Sequence, residues 1–321
     1  MDVAGLAHSR LIPILPAMPV TTLSPADLEQ HLPHRGVNLF LDEVVIAEDG
    51  QSSVASTTVP AGDERGRELL GRIEDGQRVW IEPFLGEMLA LAGIPLITEQ
   101  LAAEGKVAVF SAMSRVEVHR SVAMDRVAEA HAKILRNRGS FVQFGAEIIQ
   151  DGESCLVAEI MSGGAAMSDI TAQPVKPPPA GFGGEALTAN FSAKAPSMCF
   201  IDGVQAFDAE AGTLTATYVY PEDHPFVPGH FPDAPLMMGV TQWQAIIDAA
   251  WEARTRCGIA GPIQAAGRIV RPDGSEVVSI RDIELEERNG LPFVRLTKRI
   301  VFREPVRPGD GVLVEVEVAA C

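Results

Sequence analysis

His230 sits in a run that leaves its backbone little freedom: Pro225-Phe226-Val227-Pro228-Gly229-His230-Phe231-Pro232-Asp233-Ala234-Pro235. Proline fixes φ and glycine takes turn conformations that other residues resist, so the chain around this imidazole is pinned. A pinned imidazole suits general acid–base work, because its ordinary pKa lies near neutrality. The competing reading is a histidine satisfied within a turn. Two carboxylates lie in an apolar stretch of the first half, Glu82 and Glu87. Glu82 precedes Pro83, a pairing that a helix start also favours. Glu87 is a rival acid one turn further on. After Met237 and Met238, Gly239 opens a stretch with Val240, Trp243, Ile246, Ile247 and Ala250 at helical spacing. Unpaired amides at such a start favour developing negative charge, and glycine allows close approach to them.

These residues need elements to position them. The clearest break runs from Gly163 to Pro196, with Gly163-Gly164, Pro177-Pro178-Pro179 and Gly183-Gly184 and few large apolar residues. It reads as a linker. The expected organisation is therefore 1–163, a Pro/Gly-rich linker 164–195, and 196–321. A weak repeat relates the halves: Leu39-Phe40-Leu41-Asp42 and Cys199-Phe200-Ile201-Asp202 place their aspartates 160 positions apart. A strand-like segment follows each, 53–59 and 213–220. Each half then has one apolar helix candidate, about 80–101 and about 239–254. Strands are expected at 107–118, 127–135, 140–149 and 155–161, and at 277–286, 292–302 and 311–318. A helix apolar on most sides must be wrapped by protein. The fold class is α+β: two tandem hotdog units, each an antiparallel sheet around a central helix, forming a pseudo-dimer.

Apolar residues make up 46% and charged residues 21% of 321, an ordinary globular composition. With 26 Lys and Arg against 43 Asp and Glu, the net charge of −17 disfavours nucleic acid and anionic membranes as general partners. The four cysteines form no CxxC pair and read as reduced thiols. No apolar run reaches the roughly 18 residues of a membrane span. Residues 1–22 have an apolar patch at 11–16, but prolines and the missing basic head argue against a signal peptide. A cytoplasmic protein is expected.

The segment from Pro225 to Val240 resembles the signature of the beta-hydroxyacyl-ACP dehydratases of fatty-acid synthesis. In that family Gly-His-Phe-Pro is followed by a Pro and then by Met-Pro-Gly-Val, which opens the central helix. The lead-in Leu32-Pro33-His34-Arg35 and the tail Phe302-Arg303-Glu304-Pro305-Val306-Arg307-Pro308-Gly309-Asp310 resemble the same family. The resemblance implies dehydration of a 3-hydroxyacyl thioester carried by acyl carrier protein or coenzyme A. It implies His230 as the base. It places the acid fourteen positions later, which is Gln244 here and cannot serve. The first half lacks a histidine between His34 and His119, yet offers Glu82 at its helix start. The base of one family subunit works with the acid of the other, so His230 and Glu82 are expected to build one composite site. The reciprocal site would be dead. Gly239 would supply the oxyanion amide. Phe231, Pro235, Met237, Val240, Trp243 and Gln244 are the expected substrate-binding residues, with Trp80 another tunnel candidate. His34 and Arg35 read as structural, and His224 as exposed. No metal and no cofactor is expected; a homo-oligomer of pseudo-dimers is.

An acidic carrier protein would need a local basic patch. Arg115 with Arg120, Lys133 with Arg136 and Arg138, and Lys298, Arg299, Arg303 and Arg307 are the candidates. The tails differ: the second half has 59 residues between Gln244 and Arg303 and few after Asp310. Either other strands complete its sheet or its edge pairs with another chain. Besides a dehydratase, two classes remain open. One is another thioester enzyme on the same fold, such as a thioesterase, decarboxylase or acyltransferase. The other is a non-catalytic acyl-carrier binder.

Overall fold

The computed structural model describes residues 21–139, 141–172 and 174–321. The apolar patch at 11–16 lies outside them. The first half runs β1 (Thr21–Leu23), α1 (Pro25–His31), β2 (Glu43–Ile46), β3 (Ser52–Thr57), β4 (Gly71–Glu74), β5 (Gln77–Trp80), α2 (Glu82–Gly93), α3 (Thr98–Ala103), β6 (Lys106–Val118), β7 (Ala128–Arg138), β8 (Phe141–Gln150) and β9 (Glu153–Ala166). Then follow α4 (Met167–Thr171), β10 (Gly203–Asp208), β11 (Thr213–Val219), α5 (Gly239–Arg256), β12 (Ile263–Val270), β13 (Glu276–Arg288), β14 (Leu291–Phe302) and β15 (Gly311–Ala320).

Thirteen strands form one sheet in the order β1-β2-β3-β7-β8-β9-β6-β14-β13-β12-β15-β11-β10, with every pairing antiparallel. The halves meet where β6 pairs with β14, with Thr297 opposite Val116. Period-two patterning aims one face inward: Val142, Phe144, Ala146 and Ile148 of β8 are buried, while residues between them are half-exposed. That face holds α2 and α5. Every residue of α2 is buried, as are fifteen of the eighteen in α5, so sheet and partner helix enclose both. The helices touch where Gly86 faces Trp243: a Cβ on Gly86 would stand 3.4 Å from that indole and 3.0 Å from Met113.

The repeated aspartates do the same work. Asp42 accepts the Thr58 amide at 2.7 Å and Asp202 accepts the Val219 amide at 2.8 Å, each pinning the entry to its half's first strand pair.

Two expectations are corrected and one open alternative is decided. The first apolar helix is shorter than 80–101: β5 takes up Trp80, and the α2 helix gives way after Gly93 at Ile94-Pro95. Of the two alternatives for the second half's sheet, the first is found: other strands of the chain complete it. From the centre outward the first half is laid down as β6, β9, β8, β7, β3, β2, β1, and the second as β14, β13, β12, β15, β11, β10. The strand after α2 crosses to the central seam, whereas β12 to β14 approach that seam in sequence, and β15 then fills the gap beside β11. The extra length before Arg303 is thus β12 to β14, with the 271–275 turn joining the first two. The segment 164–195 is not a bare linker either. β9 continues into it, α4 follows, and its end is fastened to α5. Glu252 accepts from the Thr188 and Ala189 amides at 2.7–3.0 Å, and Asp248 pairs with Lys194 at 2.5 Å.

Candidate active site

His230 lies in the turn between β11 and α5, and Glu87 on the inner part of α2. His34 comes from the segment after α1, where its backbone bridges that of His230 and the Arg35 amide donates to the Gly229 carbonyl at 3.0 Å. One ring nitrogen of each histidine and one Glu87 oxygen lie within 4.8 Å of one another. The His34 Nε2 stands 3.6 Å from Glu87 Oε1, and the two imidazole centroids are 5.0 Å apart. All three side chains are buried.

The His230 Nδ1 is 3.0 Å from the Leu236 carbonyl oxygen. A carbonyl only accepts, so Nδ1 carries the proton and Nε2 keeps its lone pair. Burial, and then the neighbouring His34, push the His230 pKa down to about 4, against the pull of Glu87. Burial lowers His34 to about 3. Burial raises Glu87 to about 7, with His230 opposing. At neutral pH the site therefore holds a neutral imidazole with a free nitrogen beside a carboxyl group that still carries its proton for much of the time. Two adjacent titratable groups pushed apart in this way are chemically able to act as a base and an acid.

The cluster opens into a cavity of about 290 Å³ whose wall is mostly apolar. Ala90, Ile94, Phe110, Phe144 and Ile160 line its body; Asp169, Arg303 and Glu304 lie along its wall as well. Gly239 is on the wall, where an added Cβ would meet the Phe302 ring at 2.9 Å.

The expected site residues divide. His230, Gly239, Phe231 and Met237 line the cavity; Pro235, Val240, Trp243 and Gln244 are not among the described residues on its wall. Trp80 packs against Phe40. His224 is buried, not exposed, with Nε2 2.9 Å from the Ser197 carbonyl. Glu82 is not among the described residues on the cavity wall: both Arg72 terminal nitrogens hold it, at 2.7 and 2.9 Å. The physical reason is helix register. Glu82 is the first residue of α2 as Gly239 is of α5, so Glu87 and Gln244 are the sixth residue of each, both pairs 157 apart (239 − 82, 244 − 87). His34 was missed as a site residue; its place in the lead-in beside the repeat was the available signal.

The same relation locates the reciprocal position. The backbone bridge His34–His230 has a counterpart in Lys194–Arg72. There Lys194 pairs with Asp248, Gln244 Nε2 donates to Asp248 at 2.8 Å, and Arg72 holds Glu82. Fixed charges fill the place that imidazoles occupy in the first site.

No family model matches the chain. It is 28% identical over 117 residues to the 3-hydroxyacyl-[acyl-carrier-protein] dehydratase FabZ of Chlamydia pneumoniae, and 26% identical to that of Chlamydia muridarum. Each match covers 36% of this chain, which spans 60% of the curated relatives' length. Among solved structures, a chain of the dehydratase heterocomplex ApeI:P from Xenorhabdus doucetiae matches at 15% identity and a TM-score of 0.38, over 44% of this chain and 93% of that one. A thioesterase superfamily member from Thermus thermophilus matches at 18% identity and 0.31, over 38% and 85%. The family this chain resembles is that of the hotdog thioester dehydratases.

Proposed function

We propose that the chain is a tandem double hotdog that dehydrates a 3-hydroxyacyl thioester at one composite site. Its first unit, 1–163, supplies the acid Glu87, and its second, 196–321, the base His230. The observation that carries this reading is the meeting of His230, its Nε2 left free, with a cation-free Glu87 in one apolar cavity. Dehydration needs a base for a weakly acidic C2 proton, an acid for the leaving C3 hydroxyl and a donor for the thioester oxygen. His230 Nε2 takes the C2 proton while its Nδ1–H stays on the Leu236 carbonyl. The Glu87 carboxyl gives its proton to the departing hydroxyl, which leaves as water. First-turn amides of α5 at Gly239 receive the charge that builds on the thioester oxygen. Returning the proton from His230 to Glu87 resets the pair.

The acyl chain lies along Phe110, Phe144 and Ile160. Arg303 by the cavity, with Arg307 donating to the Ile170 and Thr171 carbonyls beside it, is the basic pair best placed for an acidic carrier protein or the phosphates of coenzyme A. Arg115 and Arg120 are engaged by Glu159 and Glu153, as Arg303 is by Glu276, but of these three only Arg303 is among the described residues on the cavity wall. Among the described residues no helix is long and apolar enough to cross a membrane; we place the reaction in the cytoplasm, in fatty-acid or polyketide-type synthesis.

The test is mass spectrometry of 3-hydroxyacyl and enoyl thioesters of carrier protein and of coenzyme A, followed in both directions. Interconversion by one water mass is expected. Release of free acid without it would make the protein a thioesterase; no change at several chain lengths would leave an acyl-carrier binder.

A further inference from the structure

We propose that His34, Glu87 and His230 form a site for one zinc-class divalent ion, which occupies the acid–base pair reversibly and inhibits the enzyme. Two imidazoles and a carboxylate are a donor set that zinc takes with one position left open. Zinc bonds of about 2.0–2.2 Å put tetrahedral donor atoms roughly 3.3 Å from one another. The His34 Nε2 to Glu87 Oε1 separation of 3.6 Å is already close to that, and the widest separation in the trio, within 4.8 Å, closes by small side-chain rotations. Both His34 ring nitrogens and Glu87 Oε2 are buried without a hydrogen-bond partner among the described residues. Buried polar atoms left in that state gain most from a ligand.

The surroundings meet the other requirements. His230 has its Nδ1–H held by the Leu236 carbonyl, which orients the ring and frees Nε2 for a metal. The cavity gives an entry path and room for a fourth ligand. At the related position in the other half, Asp248 faces the chain's own cation, Lys194. Glu87 faces two imidazoles instead and pairs with no lysine or arginine among the described residues, which leaves the place of that cation to one from outside. Binding stands on this geometry alone; inhibition rests on the acid–base reading above.

The experiment titrates chelator-stripped full-length protein with Co²⁺ and then Zn²⁺, following visible absorption and heat. One Co²⁺ per chain with an intense tetrahedral-type band, displaced by Zn²⁺, is expected. His34→Asn and Glu87→Gln should each weaken binding by at least about tenfold, the lower size of losing a mere supporting group. His131→Asn, which changes a half-buried histidine on β7, should leave it unchanged. Two variants on different segments, with melting curves to check folding, keep the test usable if one does not fold. In the thioester assay Zn²⁺ should compete with substrate. No stoichiometric binding, or binding equal in wild type, His34→Asn and Glu87→Gln, overturns the site. Metal binding without dehydration would keep the site and refute the enzyme reading; dehydration without metal binding would do the reverse.

Discussion

The Glu87 carboxyl is buried with no lysine or arginine partner among the described residues, which fits it to the proposed acid role. Glu82, five residues earlier on the same helix, is buried too, but Arg72 grips it with two nitrogens and keeps it occupied. The two glutamates therefore fail differently when replaced. Glu87→Gln keeps the shape and loses the acid, so turnover should fall by about 10²–10⁴-fold with melting temperature little changed. Glu82→Gln should mainly destabilise, by leaving Arg72 short of a buried partner. Steady-state kinetics beside thermal melts separate the two; the opposite ranking would return the acid role to Glu82. The pH dependence follows from the same pair. His230 must be neutral and Glu87 protonated, so kcat/KM should rise through pH about 4 and fall through about 7. In His34→Asn the acid limb should move up, because His34 is one of the causes that depress His230. An alkaline limb that survives in Glu87→Gln would refute the acid assignment.

At the scale of elements, α5 anchors the connecting segment through Asp248 and Glu252, one turn apart. Lys194 and Asp248 are almost wholly buried, so removing one leaves an uncompensated charge. Lys194→Met should cost about 3–5 kcal/mol, and adding Asp248→Asn should recover part of it. Chemical denaturation of the three variants measures this, and full additivity would mean the pair is not coupled. Both changes lie in the reciprocal position, so the folded fraction should keep its specific activity. This anchoring was not legible in the sequence. A stretch rich in Gly and Pro gives no local sign that a distant helix will hold it. The long meander strands were legible, because alternation reports a half-buried sheet directly. The register of α2 against α5 was not. Val79 to Ala92 is apolar on nearly all sides, so periodicity gives no phase, and although α2 does open at Glu82, it is Glu87, five residues further on, that matches Gln244. His230 was legible because prolines and glycine mark its turn from local sequence alone.

At the scale of the molecule, the seam between β6 and β14 joins the halves into one continuous sheet and sets α2 against α5. That arrangement brings Glu87 and His34 of one half to His230 of the other. The halves reach it by different strand orders, the second carrying three strands before the tail and one after it. What the two halves share is the position of the helices and of the seam, and with the lead-in and turn that carry His34 and His230 these bring the three side chains together. One chain should therefore contain one working site and need no partner to complete it. Mixing makes this measurable. If the site assembles within a chain, co-refolding His230→Ala protein with Glu87→Gln protein should restore no activity, because neither chain holds both groups. If halves exchange between chains, a swapped pair would combine the intact His230 of one with the intact Glu87 of the other. Activity would then return to an appreciable fraction of wild type, and would grow with protein concentration during refolding. The expected outcome is none at any concentration, alongside wild-type protein refolded in the same way as the control that the procedure yields active enzyme.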